Sequence, residues 1–147
     1  MSINTEIIIN APIERVTKTF FDFPNHKNWN PFFNSIEVLD GKSLQVGSQL
    51  KVEIQLPNRS PQTFKPYVTE LTAQSLKWKG TLLFEFIASG VHSFQFIPLT
   101  IDNKQVTKVI QSEQFIGIFF ALATGIIKES ESQFKKLNEA LKREVEE

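Results

Sequence analysis

The sequence predicts an α+β fold in which a strand, a helix, several antiparallel strands and a long C-terminal helix follow one another. Two patterns carry this prediction. Between residues 50 and 56 apolar side chains alternate with polar ones, which is typical of a strand with one buried face. From residue 119 onwards apolar residues return every three or four positions, as on one face of a helix. The length of 147 residues suits one domain spanning residues 1–147.

The beginning of the chain predicts a strand, a helix and an irregular segment. Ile3–Ile9 is rich in β-branched residues, which favour strands. Pro12 suits the first turn of the helix that follows. Residues 22–33, called the connector below, mix aromatic side chains with two prolines, which prevents continuous helix or strand. We therefore expect a compact connector with one helical turn over Asn25–Trp29.

The middle of the chain predicts six strands separated by turn-forming residues. Pro57–Pro61 forms a loop, because both ends are proline. The segment Leu82–Ala88 is apolar on both faces and either extends a strand or covers a cavity as a loop. The predicted strands are Ile36–Val38, Leu50–Leu56, Gln62–Leu71, Leu76–Thr81, Gly90–Leu99 and Gln105–Phe115.

The C-terminal helix has one apolar stripe with two unusual positions. Ser130 interrupts the stripe, so it either faces a cavity or marks a close contact between helix and sheet. Gly125 costs a helix about 1 kcal/mol relative to alanine, so we expect crowding by backbone or ligand there. The stripe comprises Phe119, Leu122, Ile126, Ser130, Phe134, Leu137, Leu141 and Val145.

Composition excludes several classes of function. Lys plus Arg and Asp plus Glu are equal at 16 each, so no strong field attracts nucleic acid. The absence of Cys excludes disulfides and thiolate nucleophiles, and the two His are not spaced as a metal site. We therefore expect no metal and no cofactor. The 14 Phe suit an apolar interior or an apolar pocket.

The sequence also predicts a cytoplasmic protein without membrane insertion. Residues 1–10 lack the basic and apolar regions of a signal peptide. The longest apolar run, Ile116–Ala123, is too short to cross a bilayer.

The last two strands place polar residues on a predicted inward face. Asp102–Asn103 is typical of a hairpin turn, and a turn centred there pairs residues whose numbers sum to 205. A shift of one residue would exchange the two faces. The predicted partners are His92 with Glu113, Phe94 with Gln111, and Phe96 with Val109.

This inward face has two interpretations, because buried polar groups need partners. The face also carries Phe115, and its apolar residues indicate that it is the buried one. His92 and Glu113 form either a structural pair satisfied within the core or the polar end of a ligand cavity. Trp78 is likewise predicted to face inward, as core packing or as a ligand contact, whereas His26 is expected to be a solvated loop residue.

Six motifs in order resemble the START-like helix-grip superfamily, which includes the polyketide cyclase/dehydrase and lipid-transport group. The chain departs at Thr17, where many relatives carry Trp. The motifs are Ala11–Val16, Trp29–Phe32, Phe64–Val68, Leu76–Gly80, Gly90–Phe94 and Ser112–Gly117.

The resemblance implies a curved antiparallel sheet wrapped around the long C-terminal helix, with an apolar cavity between them. The implied order is one strand, two helices, five or six strands and a final helix. Members bind lipids, sterols, polyketides or other apolar molecules, and they share no catalytic motif. The candidate ligand contacts are Trp29, Trp78, His92, Phe94, Phe96, Gln111, Glu113, Phe115, Leu122, Ile126 and Ser130.

Three functions remain open. The first is a non-enzymatic carrier or sensor of an apolar molecule, favoured by the Phe-rich faces and the lack of a nucleophile. The second is a cofactor-independent cyclase or dehydratase in which His92 acts as acid and base beside Glu113. The third is a protein-interaction module resembling chaperone-activating relatives, in which a sheet edge or the connector binds a protein partner or a second copy.

Overall fold

The computed structural model describes residues 2–81, 89–117 and 124–147. A short 3-10 turn, Phe23–Asn25, precedes the second helix. None of the helices among these residues is long and apolar enough to cross a membrane. The elements are β1 Ser2–Ile9, α1 Ile13–Phe21, α2 His26–Trp29, β2 Phe33–Val38, β3 Leu50–Ile54, β4 Gln62–Phe64, β5 Tyr67–Thr72, β6 Ser75–Thr81, β7 Ser89–Ile101, β8 Lys104–Ile116 and α3 Thr124–Glu146.

The strands form two antiparallel sheets that meet beside β5. The larger sheet has the order β1-β8-β7-β6-β5 and the smaller one has the order β2-β3-β4. Gln49 pairs with Tyr67 where they meet, and the amide of Val68 donates to the carbonyl of Ser48 at 2.9 Å. The result is a curved antiparallel surface with a C-terminal helix, which confirms the helix-grip α+β fold.

Seven strands follow α2 among the described residues, one more than predicted. The single strand expected over Gln62–Leu71 divides at Pro66 into β4 and β5, which belong to different sheets. Proline has no N–H to continue a ladder, whereas its carbonyl still accepts from the amide of Leu50 at 2.9 Å. Pro66 therefore turns the chain from one sheet into the other.

The stripe of α3 faces the core as predicted. Phe134, Leu137, Leu141 and Val145 are all buried. A Cβ added to Gly125 would have no atom of the described residues within 4 Å, so the crowding expected there is not found. The predictions for Phe119, for Leu122 and for Leu82–Ala88 lie outside the described residues.

The connector contains the predicted helical turn, but the expectation that His26 is solvated is wrong. His26 is fully buried, and its Nε2–H donates to the carbonyl of Phe20 at the end of α1. Oδ1 of Asn30 accepts from the amides of Phe32 and Phe33, each at 2.9 Å. The Asn30 amide nitrogen therefore faces His26 and donates to its Nδ1 at 3.1 Å. His26 is thus a neutral link between α1 and the entrance to β2.

This arrangement predicts that acid destabilises the connector. Burial lowers the pKa of His26 below its usual 6.5, while the Phe20 carbonyl and the charge of Asp22 act weakly in the opposite direction. The unfolded chain therefore takes up a proton at this position before the folded chain does. We expect this part of the stability to be complete above about pH 6.5 and to be lost as pH falls through the lowered folded-state pKa.

Urea unfolding of the wild type and of His26→Gln, across about pH 4 to pH 8, measures this effect. The wild type should lose more stability than the variant as pH falls, because glutamine does not titrate. A stability difference between the two proteins that stays constant with pH would contradict the prediction.

Candidate ligand-binding site

A cavity of about 120 Å³ lies between the curved sheet, the end of the connector and α3. Its lining is mostly aromatic, with three polar side chains from His92, Glu113 and Ser130. The complete lining is Phe32, Phe33, Ile54, Phe64, Trp78, Gly80, Gly90, His92, Glu113, Phe115, Ser130 and Phe134.

Strand register brings the central side chains into one row. Trp78 on β6 is paired with His92 on β7, and His92 is paired with Glu113 on β8. Directly paired residues of antiparallel strands point to the same face of the sheet. The predicted hairpin register is therefore confirmed, and it directs all three side chains towards α3.

Aromatic rings surround the imidazole of His92. Phe94 stacks on it with ring centroids 4.6 Å apart and planes 22° apart. The rings of Trp78, Phe33 and Phe134 lie 5.3, 5.7 and 4.7 Å away. The ring therefore has little freedom to rotate, and its two nitrogens keep fixed partners.

A buried chain of hydrogen bonds fixes the Nε2 side of His92. The Gln111 amide nitrogen donates to Oδ1 of Asn138 at 2.7 Å and to the carbonyl of Phe134 at 3.1 Å. The Asn138 amide in turn donates to the hydroxyl of Thr5 at 2.9 Å. Since the Gln111 nitrogen is committed to acceptors, its Oε1 faces Nε2 of His92 at 3.0 Å and accepts from it.

The Nδ1 side of His92 meets a carboxylate. Nδ1 lies 2.7 Å from Oε2 of Glu113, and the two side chains are 5% and 15% exposed. Two unprotonated atoms would repel each other at this distance, so one proton lies between them. Because Nε2 already carries a hydrogen for Gln111, the pair is either imidazolium with carboxylate or imidazole with carboxylic acid. Its net charge is zero in both forms.

One oxygen of this pair lacks an aligned hydrogen bond. Oε2 of Glu113 is at ion-pair distance from His92 but out of line with its N–H, and it has no hydrogen-bond donor among the described residues. Buried polar atoms are seldom left in this state. The atom lies at the wall of the cavity, where a bound molecule could donate to it.

Two glycines make room for this arrangement. Gly80 and Gly90 are direct partners on β6 and β7. A Cβ on Gly90 would collide with Oε1 of Glu113, and one on Gly80 would lie 3.3 Å from the ring of Phe64. The carboxylate and the ring occupy the space that the missing side chains leave.

The predicted site residues fall into three groups. Those that line the cavity are Trp78, His92, Glu113, Phe115 and Ser130. Those that do not line it are Trp29, Phe94, Phe96, Gln111 and Ile126, while Leu122 lies outside the described residues.

Trp29 stands apart from the cavity lining. Its ring lies 4.5 Å from that of His26 in the connector. Its indole Nε1 is buried without a hydrogen-bond partner among the described residues. Trp29 therefore packs with the connector rather than with the pair on the sheet.

Sequence reasoning missed several residues of the site and its support. Phe134 was placed on the helix stripe without a role, and Phe64 was assigned to a continuous strand. Asn138 follows Phe134 by one helical turn, so a polar residue beside the buried stripe was the available signal. No group of three His, Asp or Glu side chains in the described part of the chain is arranged to hold a metal ion.

Similar proteins agree on the fold. The Zhui aromatase/cyclase from Streptomyces superposes with a TM-score of 0.77 at 11% identity, covering 99% of this chain and 93% of that chain. For a START superfamily protein from Mycobacterium smegmatis the values are 0.71, 18%, 99% and 97%. Norcoclaurine synthase from Thalictrum flavum, in complex with dopamine and hydroxybenzaldehyde, gives 0.69, 14%, 99% and 86%.

Sequence comparison identifies the family directly. No curated protein shows significant sequence similarity to the chain. The family described as polyketide cyclase / dehydrase and lipid transport matches residues 1–146. The chain therefore belongs to the polyketide cyclase/dehydrase and lipid-transport family of the START-like superfamily.

Proposed function

We propose that residues 1–147 form a single domain that binds an apolar small molecule in the cavity, as a carrier or sensor. The observation that carries the proposal is an aromatic cavity with one polar pair in its wall, His92 with Glu113. Ligand pockets are typically apolar, with a few polar groups that orient the bound molecule. Two similar proteins are named for chemistry on aromatic compounds, which agrees with this proposal.

The size of the cavity favours a small ligand. At about 120 Å³ it approaches the roughly 150 Å³ of an engineered apolar cavity in another protein that binds benzene. One aromatic ring with short substituents fills such a space, whereas a multi-ring polyketide or a long acyl chain does not. We therefore propose a single-ring molecule.

Filling the cavity tests this function. Ser130 lines the cavity from α3, so leucine at this position should occupy the space of the ligand. Ser132, which is exposed on the same helix, provides the matched control. We expect Ser130→Leu to abolish toluene binding measured by calorimetry, while Ser132→Leu preserves it and both retain the circular dichroism of the wild type. Failure of the unmodified protein to bind toluene or any co-purifying molecule would contradict the proposal.

A second candidate function is acid–base catalysis, favoured by the shared proton between His92 and Glu113. A molecule recovered with the protein should then be converted to a product that mass spectrometry detects. An acid–base enzyme should lose roughly 10²–10⁴-fold in rate on His92→Ala, whereas a carrier should keep most of its affinity. Recovery of the bound molecule unchanged after incubation would argue against catalysis.

A further inference from the structure

We infer that the ligand carries one neutral hydroxyl group that donates a hydrogen bond to Oε2 of Glu113. This inference rests on the proposed function, since it concerns the same cavity. It adds the chemical class of the ligand, a single-ring phenol or a comparable small alcohol.

The unsatisfied oxygen is the first reason. Oε2 of Glu113 is buried, and no donor among the described residues bonds it. The other face of the His92 ring edge is committed, because Nε2 donates to Gln111 at 3.0 Å. The protein therefore supplies no further donor from this network, whereas a ligand in the cavity reaches the wall that Glu113 forms. A hydroxyl group is the smallest neutral donor that completes the pattern.

Charge balance is the second reason. The proton between His92 and Glu113 makes the pair neutral, so the carboxylate already has its counter-charge. An ammonium group would enter an aromatic cavity without an unpaired anion to balance it. A carboxylate ligand would lie against the oxygens of Glu113 and be repelled. A neutral donor avoids both penalties.

The position of the carboxylate is the third reason. Gly90 leaves open the space that Oε1 of Glu113 occupies, and any larger residue would displace the group. Gly90 is therefore a positioning residue for the ligand-binding oxygen. Its neighbour across the strands, Gly80, also lines the cavity, so the opening beside the carboxylate is continuous with the aromatic walls.

Phenol and toluene test the inference, because they differ only by a hydroxyl in place of a methyl group. The measured quantity is the ratio of their affinities, which removes effects common to both ligands. We expect Glu113→Gln and Gly90→Ala each to lower the phenol preference by roughly 10–100-fold relative to the wild type. Glu37→Gln, on an exposed position of β2, should leave the ratio unchanged.

A spectroscopic measurement makes the test independent of the variants. Infrared difference spectra of the unmodified protein should show a shift of a carboxyl band with phenol and no shift with toluene. If both molecules bind but neither the spectrum nor the variants distinguish them, the inference is wrong and the proposed function stands. Tighter binding of benzylamine than of phenol would also overturn it. If none of these probes binds, both the inference and the proposed function fail.

Discussion

Replacing Asn30 with alanine is expected to lower the free energy of unfolding by roughly 2–4 kcal/mol. The Asn30 side chain accepts from the amides of Phe32 and Phe33 and donates to Nδ1 of His26. All of these residues are buried, so water cannot replace the lost bonds. Phe32 and Phe33 line the cavity, and the variant should therefore also weaken toluene binding.

Chemical denaturation measures the first effect, and a neighbouring position controls for it. Asn28 is exposed on α2, so Asn28→Ala should change stability by no more than about 0.5 kcal/mol. Asn30→Asp keeps an acceptor for the two amides and should lose less than the alanine variant. A loss below about 1 kcal/mol for Asn30→Ala would show that the connector does not depend on this network.

The hairpin of β7 and β8 shows what local sequence can predict. Asp102 and Asn103 both have positive φ, at 51° and 63°, a conformation that these residue types tolerate better than most. Their identity therefore places the turn, and the turn determines which side chains share a face. The pairing of His92 with Glu113 followed from this one dipeptide.

The residues that sequence reasoning missed depend on contacts between distant segments. His26 is buried because the end of α1 presents a carbonyl to it, and a local pattern does not reveal that acceptor. Asn138 meets Gln111, which is 27 positions away, only after α3 has packed against the sheet. Pro66 was visible in the sequence, but its effect on the strand depended on the second sheet beside it.

Replacing Gln111 with methionine is the second large expected effect, also roughly 2–4 kcal/mol in the free energy of unfolding. Methionine has a similar volume and no hydrogen-bonding amide. The variant would remove the partners of Nε2 of His92 and of Oδ1 of Asn138, and both groups are buried. Gln114→Met, at an exposed position of the same strand, is the control and should change stability by no more than about 0.5 kcal/mol.

The same variant tests whether the network positions the pair or only supports the core. In the wild type Gln111 requires a hydrogen on Nε2 of His92, and Nδ1 shares the remaining proton with Glu113. Without Gln111 that requirement disappears, so neutral His92 can carry its hydrogen on Nδ1 and leave Glu113 ionised. The ring nitrogen shifts of His92, measured by NMR, should change in Gln111→Met and remain unchanged in Gln114→Met. Lower stability with unchanged shifts would mean that Gln111 supports the core without controlling the proton that the ligand meets.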